Sequence, residues 1–112
     1  MIESHGFGFI VIDGQRYTSD VIIYTDRVES DWRRKTGHRL ELEDLGQVLE
    51  HDARTLIVGT GYHGLVTVPS ETLDALQSAG FEVIVERTNR ACETFNRLAE
   101  KGPVIAALHL SC

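Results

Sequence analysis

The stretch Thr55-Leu56-Ile57-Val58-Gly59-Thr60-Gly61 decides the fold. Four mostly aliphatic residues run straight into a glycine pair, the pattern of a short strand buried on both faces and ending in a loop. Two more strands are expected after it: Phe81 to Val85, with Glu86 at its end, and the nearly all-apolar Val104 to Leu110, interrupted by His109. Helical periods separate the three runs. Pro69-Ser70-Glu71 suits a first turn, Leu73, Leu76 and Ala79 make an apolar stripe, and Gly80 closes that helix. Thr88 is placed to cap the next one, whose Ala91, Cys92, Phe95, Leu98 and Ala99 form an inward face before Gly102-Pro103 ends it. Strand, helix, strand, helix, strand predicts a three-stranded parallel core.

Upstream, Asp13-Gly14 lies between Phe7–Ile12 and Tyr17–Tyr24, a strong hairpin signal because glycine accepts the positive φ of a tight turn. Val21 to Tyr24 is continuously apolar, which predicts burial on both faces. Thr25 to Arg39 is polar and is expected to be loop, with Trp32 its one large apolar anchor beyond Val28. Leu45, Val48 and Leu49 then give Glu43–His51 a helical face. The whole predicts an α/β domain in three layers, a β-hairpin beside a Rossmann-like βαβαβ core, with residues 1–112 forming one domain.

The 112-residue chain carries 17 acidic and 11 basic residues, a formal charge of −6, which opposes binding to phosphate backbones or anionic membranes. Two cysteines cannot staple the fold, and no apolar run reaches the roughly 20 residues that span a bilayer. A cytoplasmic protein that binds neither nucleic acid nor membrane, monomeric or weakly self-associating, is expected.

Gly59-Thr60-Gly61-Tyr62-His63-Gly64 matches the dinucleotide pattern G-x-G-x-x-G, and Glu86 ends the next strand where a ribose-binding acid belongs. In that fingerprint a helix starts inside the glycines and aims its amides at the pyrophosphate. Here Leu65-Val66-Thr67-Val68 intervenes before Pro69. The plainer reading is a glycine-rich turn, and no cofactor is expected.

Several features resemble one family when taken in order: Trp32 with Gly37-His38, Ile57-Val58-Gly59-Thr60-Gly61, Thr88-x-x-Ala91-x-x-x-x-Asn96, and Ala107-Leu108-His109-Leu110. Together they resemble the domain-of-unknown-function 498 family, over essentially the whole chain from Gly6. That family includes the mitochondrial NADH dehydrogenase complex I assembly factor 3 and an adipogenesis-associated domain protein. The resemblance implies a compact three-layer α/β fold and no particular reaction.

Ligands of open α/β sheets gather at the carboxyl ends of the parallel strands. That edge holds Gly59, Thr60, Gly61, Thr88 and His109, with Asn96 further along the same helix as Thr88, as candidate ligand-binding residues. Free amides at the start of the last helix, beside Arg87 and Arg90, suit an anion. His109 is the one catalytic candidate, because imidazole titrates near working pH; a core histidine satisfied by Thr60 or Asn96 is the plainer reading. His109 and Cys112 read as H-x-x-C, but that spacing on a strand sends them to opposite faces, and no metal site is expected. Cys92, on a buried helical face, reads as packing. A second candidate is the basic island Trp32 to Arg39, with four of the eleven Lys and Arg residues; Trp32, Arg33, Arg34 and His38 are its anion- or partner-binding candidates.

These features predict a protein-interaction or assembly-support module with an unknown protein partner. The alternative is a small-molecule or anion site, catalytic through His109, at the glycine loop.

Overall fold

Alternation along the apolar strands sets the layers of the computed structural model, which describes residues 1–112. The central sheet has five strands in the order β5 (Val28–Glu29), β4 (Val21–Ile23), β8 (Ile105–Leu108), β6 (Thr55–Gly59) and β7 (Glu82–Glu86). Strands β6, β7 and β8 run parallel, while β4 is antiparallel to β8 and β5 to β4. Successive side chains of a strand face opposite sides. Ile22, Leu56, Val58, Ile105 and Ala107 therefore enter one core, and Val21, Ile23, Ile57, Ala106 and Leu108 the other.

The first core is closed by α2 (Ser70–Ser78), by α1 (Gly46–Glu50) and by the loop carrying Trp32 and Leu40, through Leu76, Val48 and Leu45. The second is closed by α3 (Thr88–Ala99), through Ala91, Cys92 and Phe95, and by a small antiparallel sheet. That sheet consists of β1 (Ile2–Gly6), β2 (Phe9–Ile12) and β3 (Gln15–Tyr17), and contributes Ile2, Ile10 and Ile12. The three-layer α/β architecture expected from the sequence is present.

Details differ. The Asp13-Gly14 turn forms with both φ angles positive, 49° and 82°, but its return strand stops at Tyr17. Thr18-Ser19-Asp20 breaks the chain, and Val21–Ile23 crosses to the large sheet, where its continuous burial is met by apolar layers on both faces. Ile2–Gly6 was not expected as a strand, because Ile2 is its only buried side chain. Glu43–His51 begins as a 3-10 turn over Leu42–Leu45 and is α-helical only from Gly46. Pro69 is the extended residue before α2 rather than part of its first turn. The polar Thr25–Arg39 segment is mostly loop, with the short edge strand β5 inside it. No helix is long and apolar enough to cross a membrane.

Candidate functional site

The chain leaves β6 through the glycine loop at the sheet's switch point, since β7 lies on one side of β6 and β8 on the other. Its own backbone fills this crevice. Tyr62 N donates to the carbonyl of Ser111, and the amides of His63 and Leu65 both donate to that of Cys112. Gly61 has φ +102°, and a Cβ there would lie 2.2 Å from the Cys112 carbonyl carbon. At Gly59 a Cβ would come within 2.8 Å of Leu108 Cδ2 and 2.9 Å of Thr88 Oγ1. Both glycines therefore serve close packing of protein on protein.

Thr88 does not cap α3. Arg87 is the N-cap and Thr88 the first helical residue. The Thr88 hydroxyl accepts from Gly61 N at 2.8 Å and donates to the His109 carbonyl at 2.6 Å, tying the loop to β8. Its amide donates to the Gly61 carbonyl, so the helix start is already engaged with the loop. Thr60 Oγ1 donates to the Glu86 carbonyl at 3.3 Å. The Glu86 side chain accepts from Thr94 Oγ1 at 2.6 Å. α2 starts at Ser70, well beyond the glycines, so the geometry of a dinucleotide fingerprint is not formed.

The polar convergence lies on the other side of His109. Its Nδ1 is 2.7 Å from Asp20 Oδ2, and Arg34 Nη2 stands 3.0 Å from both atoms. One ring nitrogen carries either a hydrogen or a lone pair, not both. The short contact with the carboxylate assigns the hydrogen to Nδ1, so Arg34 Nη2 donates to Asp20 rather than to the ring. Nε2 faces Ser111 Oγ at 3.3 Å. Asp20 Oδ1 accepts from Leu110 N at 2.8 Å. Burial is the largest influence on the Asp20 carboxyl and would raise its pKa. The hydrogen bonds from His109, Leu110 and Arg34, with the charge at His109, together outweigh it and hold the group below the usual carboxylate value.

Two candidate regions of the sequence thus meet: Arg34, from the basic island, reaches His109, from the last strand, across 75 residues. His38 joins them with its ring edge-on to His109 at 5.6 Å between centroids. Trp32 is buried, its indole N–H donates to the Asp44 carbonyl, and Arg34 Cζ sits 5.0 Å from its ring centroid. Arg33 remains exposed and pairs with Asp31. The rest of the island is also paired by acids, Lys35 with Glu43 and Arg39 with Glu41 and Glu71. Asn96 stands apart from this cluster: its Oδ1 accepts from Ile2 N at 2.9 Å and its Nδ2 donates to the Ile2 carbonyl at 2.8 Å, clamping α3 to β1. Neither Thr60 nor Asn96 is the partner of the His109 ring.

Asp20 is the residue that sequence reasoning missed. The available signal was an acid set directly against the all-apolar Val21–Ile23, where an unpaired charge would be costly. Asp20, His109 and Ser111 are hydrogen-bonded in series, the order of orienter, base and hydroxyl in nucleophilic catalysis. Yet neither Ser111 nor His109 lines any of the molecule's four cavities. Burial, and then the neighbouring Glu93, push the Cys92 thiol up to about 12, so it stays protonated at neutral pH. No three His, Cys, Asp or Glu side chains converge as metal ligands.

Solved structures share this whole architecture. The conserved hypothetical protein PH1505 of Pyrococcus horikoshii is 31% identical, with a TM-score of 0.88 over 100% of this chain and 99% of that one. An outer membrane protein of Bartonella henselae is 26% identical, with a TM-score of 0.83 over 99% of this chain and 94% of that one. At 20% identity, Xanthomonas campestris XCC1710 shares the fold, with a TM-score of 0.83 over 98% of this chain and 83% of that one. The family model for proteins of unknown function DUF498/DUF598 matches residues 2–109. With nearly its full length inside that match, this chain belongs to the DUF498/DUF598 family.

Proposed function

We propose that the protein is an interaction or assembly-support module whose contact face is the aromatic surface beside the glycine loop. Phe7, 57% exposed, sits at the tip of the β1–β2 turn, 5.8 Å from the His63 ring and 6.2 Å from that of Tyr62. Leu65, 50% exposed, follows two residues later on the same loop. Large apolar side chains held in water at one end of a small domain are the usual mark of a protein contact. That shared exposure of Phe7 and Leu65 carries the proposal.

The face is also preorganised, which lowers the entropy lost on binding. The amides of Tyr62, His63 and Leu65 are fixed on the Ser111-Cys112 backbone, and Gly8 N donates to the Leu110 carbonyl at 2.7 Å. Burial, with a smaller contribution from Cys92, pushes the Tyr62 phenol up to about 12. It therefore stays protonated, and its hydroxyl is hydrogen-bonded with His5 Nδ1 at 2.8 Å. Arg87 lies against Gly64 on the same loop and supplies a cation there, so the fitting partner offers an apolar surface edged with acidic groups.

Photo-crosslinking from position 7, against a control at the exposed Glu93 on α3, tests this. A discrete adduct from position 7 alone, lost when Leu65→Ser is added, is expected. Equal labelling from both positions would place the contact elsewhere.

A further inference from the structure

Arg34 is an unusual cation for a protein surface loop. Its side chain is only 6% exposed, yet one of its guanidinium nitrogens has no hydrogen-bond partner. Nε donates to the Gly37 carbonyl at 2.8 Å and Nη2 to Asp20 at 3.0 Å, while Nη1 is buried and idle. A buried charged donor without an acceptor is costly, and native structures rarely keep one without a use. Asp20 does not fully compensate the charge either. Its single carboxylate is shared among Arg34, the His109 ring and the Leu110 amide.

Arg34 lines a cavity of about 350 Å³ whose wall also includes Asp20, engaged by Arg34 and His109, and Asp31, paired with Arg33. That volume is at the small end of ligand sites. Trp32 is the one hydrophobic lining residue, so the cavity suits a polar ligand. Ser19 is also in the wall. Its Oγ accepts from Asp31 N at 2.8 Å, which leaves the hydroxyl hydrogen free to donate. Arg33, also in the wall, is 82% exposed and held by one ion pair to Asp31. Nη1 has almost no surface of its own, so an anion reaches it only when the Asp31–Lys35 segment, which has no regular secondary structure, shifts.

We propose that this cavity binds a small oxyanion, a carboxylate or a phosphate, with Arg34 Nη1 as its charge-assisted donor and Ser19 and Arg33 completing the contact. Arginine suits this role because its planar fork matches both anions, whereas a lysine would supply a point charge. The site is separate from the Phe7–Leu65 contact face and does not depend on it.

The test is a heteronuclear NMR titration of the full chain with sodium phosphate and, separately, sodium acetate, at constant ionic strength held with chloride. Saturable shifts confined to Ser19, the Asp31–Gly37 segment and the Arg34 guanidinium signals are expected with at least one of the two anions. The arm that saturates identifies the ligand as phosphate or carboxylate. Arg34→Lys should abolish saturation, and Arg33→Ala should weaken it about two- to fivefold. If Arg34→Lys does not fold, Arg33→Glu decides, because it is exposed and reverses the charge at the mouth; it should weaken binding more than Arg33→Ala does. Absence of saturation with both anions, or saturation unchanged in every folded variant, would overturn the proposal.

Discussion

The Nδ1 atom of His109 lies 2.7 Å from Oδ2 of Asp20, a residue 89 positions earlier, and this contact joins the antiparallel part of the central sheet to its parallel part. Asp20 immediately precedes β4, and His109 follows β8. The two strands pair, with Val21 opposite Leu108, so the sheet register itself brings the carboxylate beside the imidazole. Removing the carboxylate takes the acceptor from Arg34 Nη2, the His109 Nδ1–H and the Leu110 N–H. Asp20→Ala should therefore cost about 3–5 kcal/mol in urea denaturation. Asp20→Asn keeps an acceptor for Leu110 N and should cost less. Equal losses would mean that the charge itself contributes little.

The same carboxylate gives a pH signature. Its pKa in the folded chain lies below the ordinary carboxylate value, so the folded state holds its proton less tightly than the unfolded state does. Its contribution to stability is then fully present above about pH 4 and is lost as pH falls from there through the lowered folded value. The stability difference between the wild type and Asp20→Asn, followed by denaturation at a series of pH values, should be flat near neutrality and shrink below about pH 4. A difference that grows on acidification would contradict this sign.

Gly61 and Gly64 both have positive φ, +102° and +69°, but their surroundings differ. Alanine at Gly64 would meet the flexible Arg87 side chain, nearest at 3.2 Å, whereas at Gly61 it would meet the Cys112 main chain at 2.2 Å. Gly64→Ala should cost about 1–2 kcal/mol, the backbone term alone. Gly61→Ala should cost about 3 kcal/mol or more, because packing strain adds to that term. It should also speed hydrogen exchange at the His63 and Leu65 amides, whose acceptor is displaced. Similar costs at the two positions would show that the loop is not held by Ser111-Cys112.

Asn96 ties Ile2 to α3 through both the oxygen and the nitrogen of its side-chain amide. Asn96→Ala should destabilise the chain by about 1–3 kcal/mol and raise hydrogen exchange at Ile2 well above that in β2. Asn96→Asp retains only the acceptor, so it should recover part of the loss. If exchange rises uniformly across the small sheet, the clamp is not local to β1.

What could be read along the chain was the part that depends on neighbouring residues. Thr55–Val58 and Val104–Leu108 are almost wholly apolar because both faces of their strands are covered, and this shows in a few consecutive letters; Phe81–Val85 belongs to the edge strand β7, where Glu82 and Val85 are exposed. The stripe of Ala91, Cys92 and Phe95 is likewise a local period. β1 escaped notice because its burial rests on Ile2 alone. Hydrogen bonds to β2 and the Asn96 clamp hold it, and neither is written in its own residues.

The site divides in the same way. Glycines after a strand, an island of cations and a histidine in an apolar run were all visible in the sequence. Their relationship was not, because a hydrogen bond between Arg34 and Asp20, or between Asp20 and His109, depends on strand order and register. Glycine's two uses, admitting a phosphate or admitting another stretch of protein, leave the same letters behind. Tertiary structure settled that Gly59 and Gly61 admit Thr88, Leu108 and Cys112. The sequence by itself determined the layers, because burial is a property of each residue and its near neighbours. Only the folded chain decided which polar groups meet, because those contacts join residues 14 to 94 positions apart.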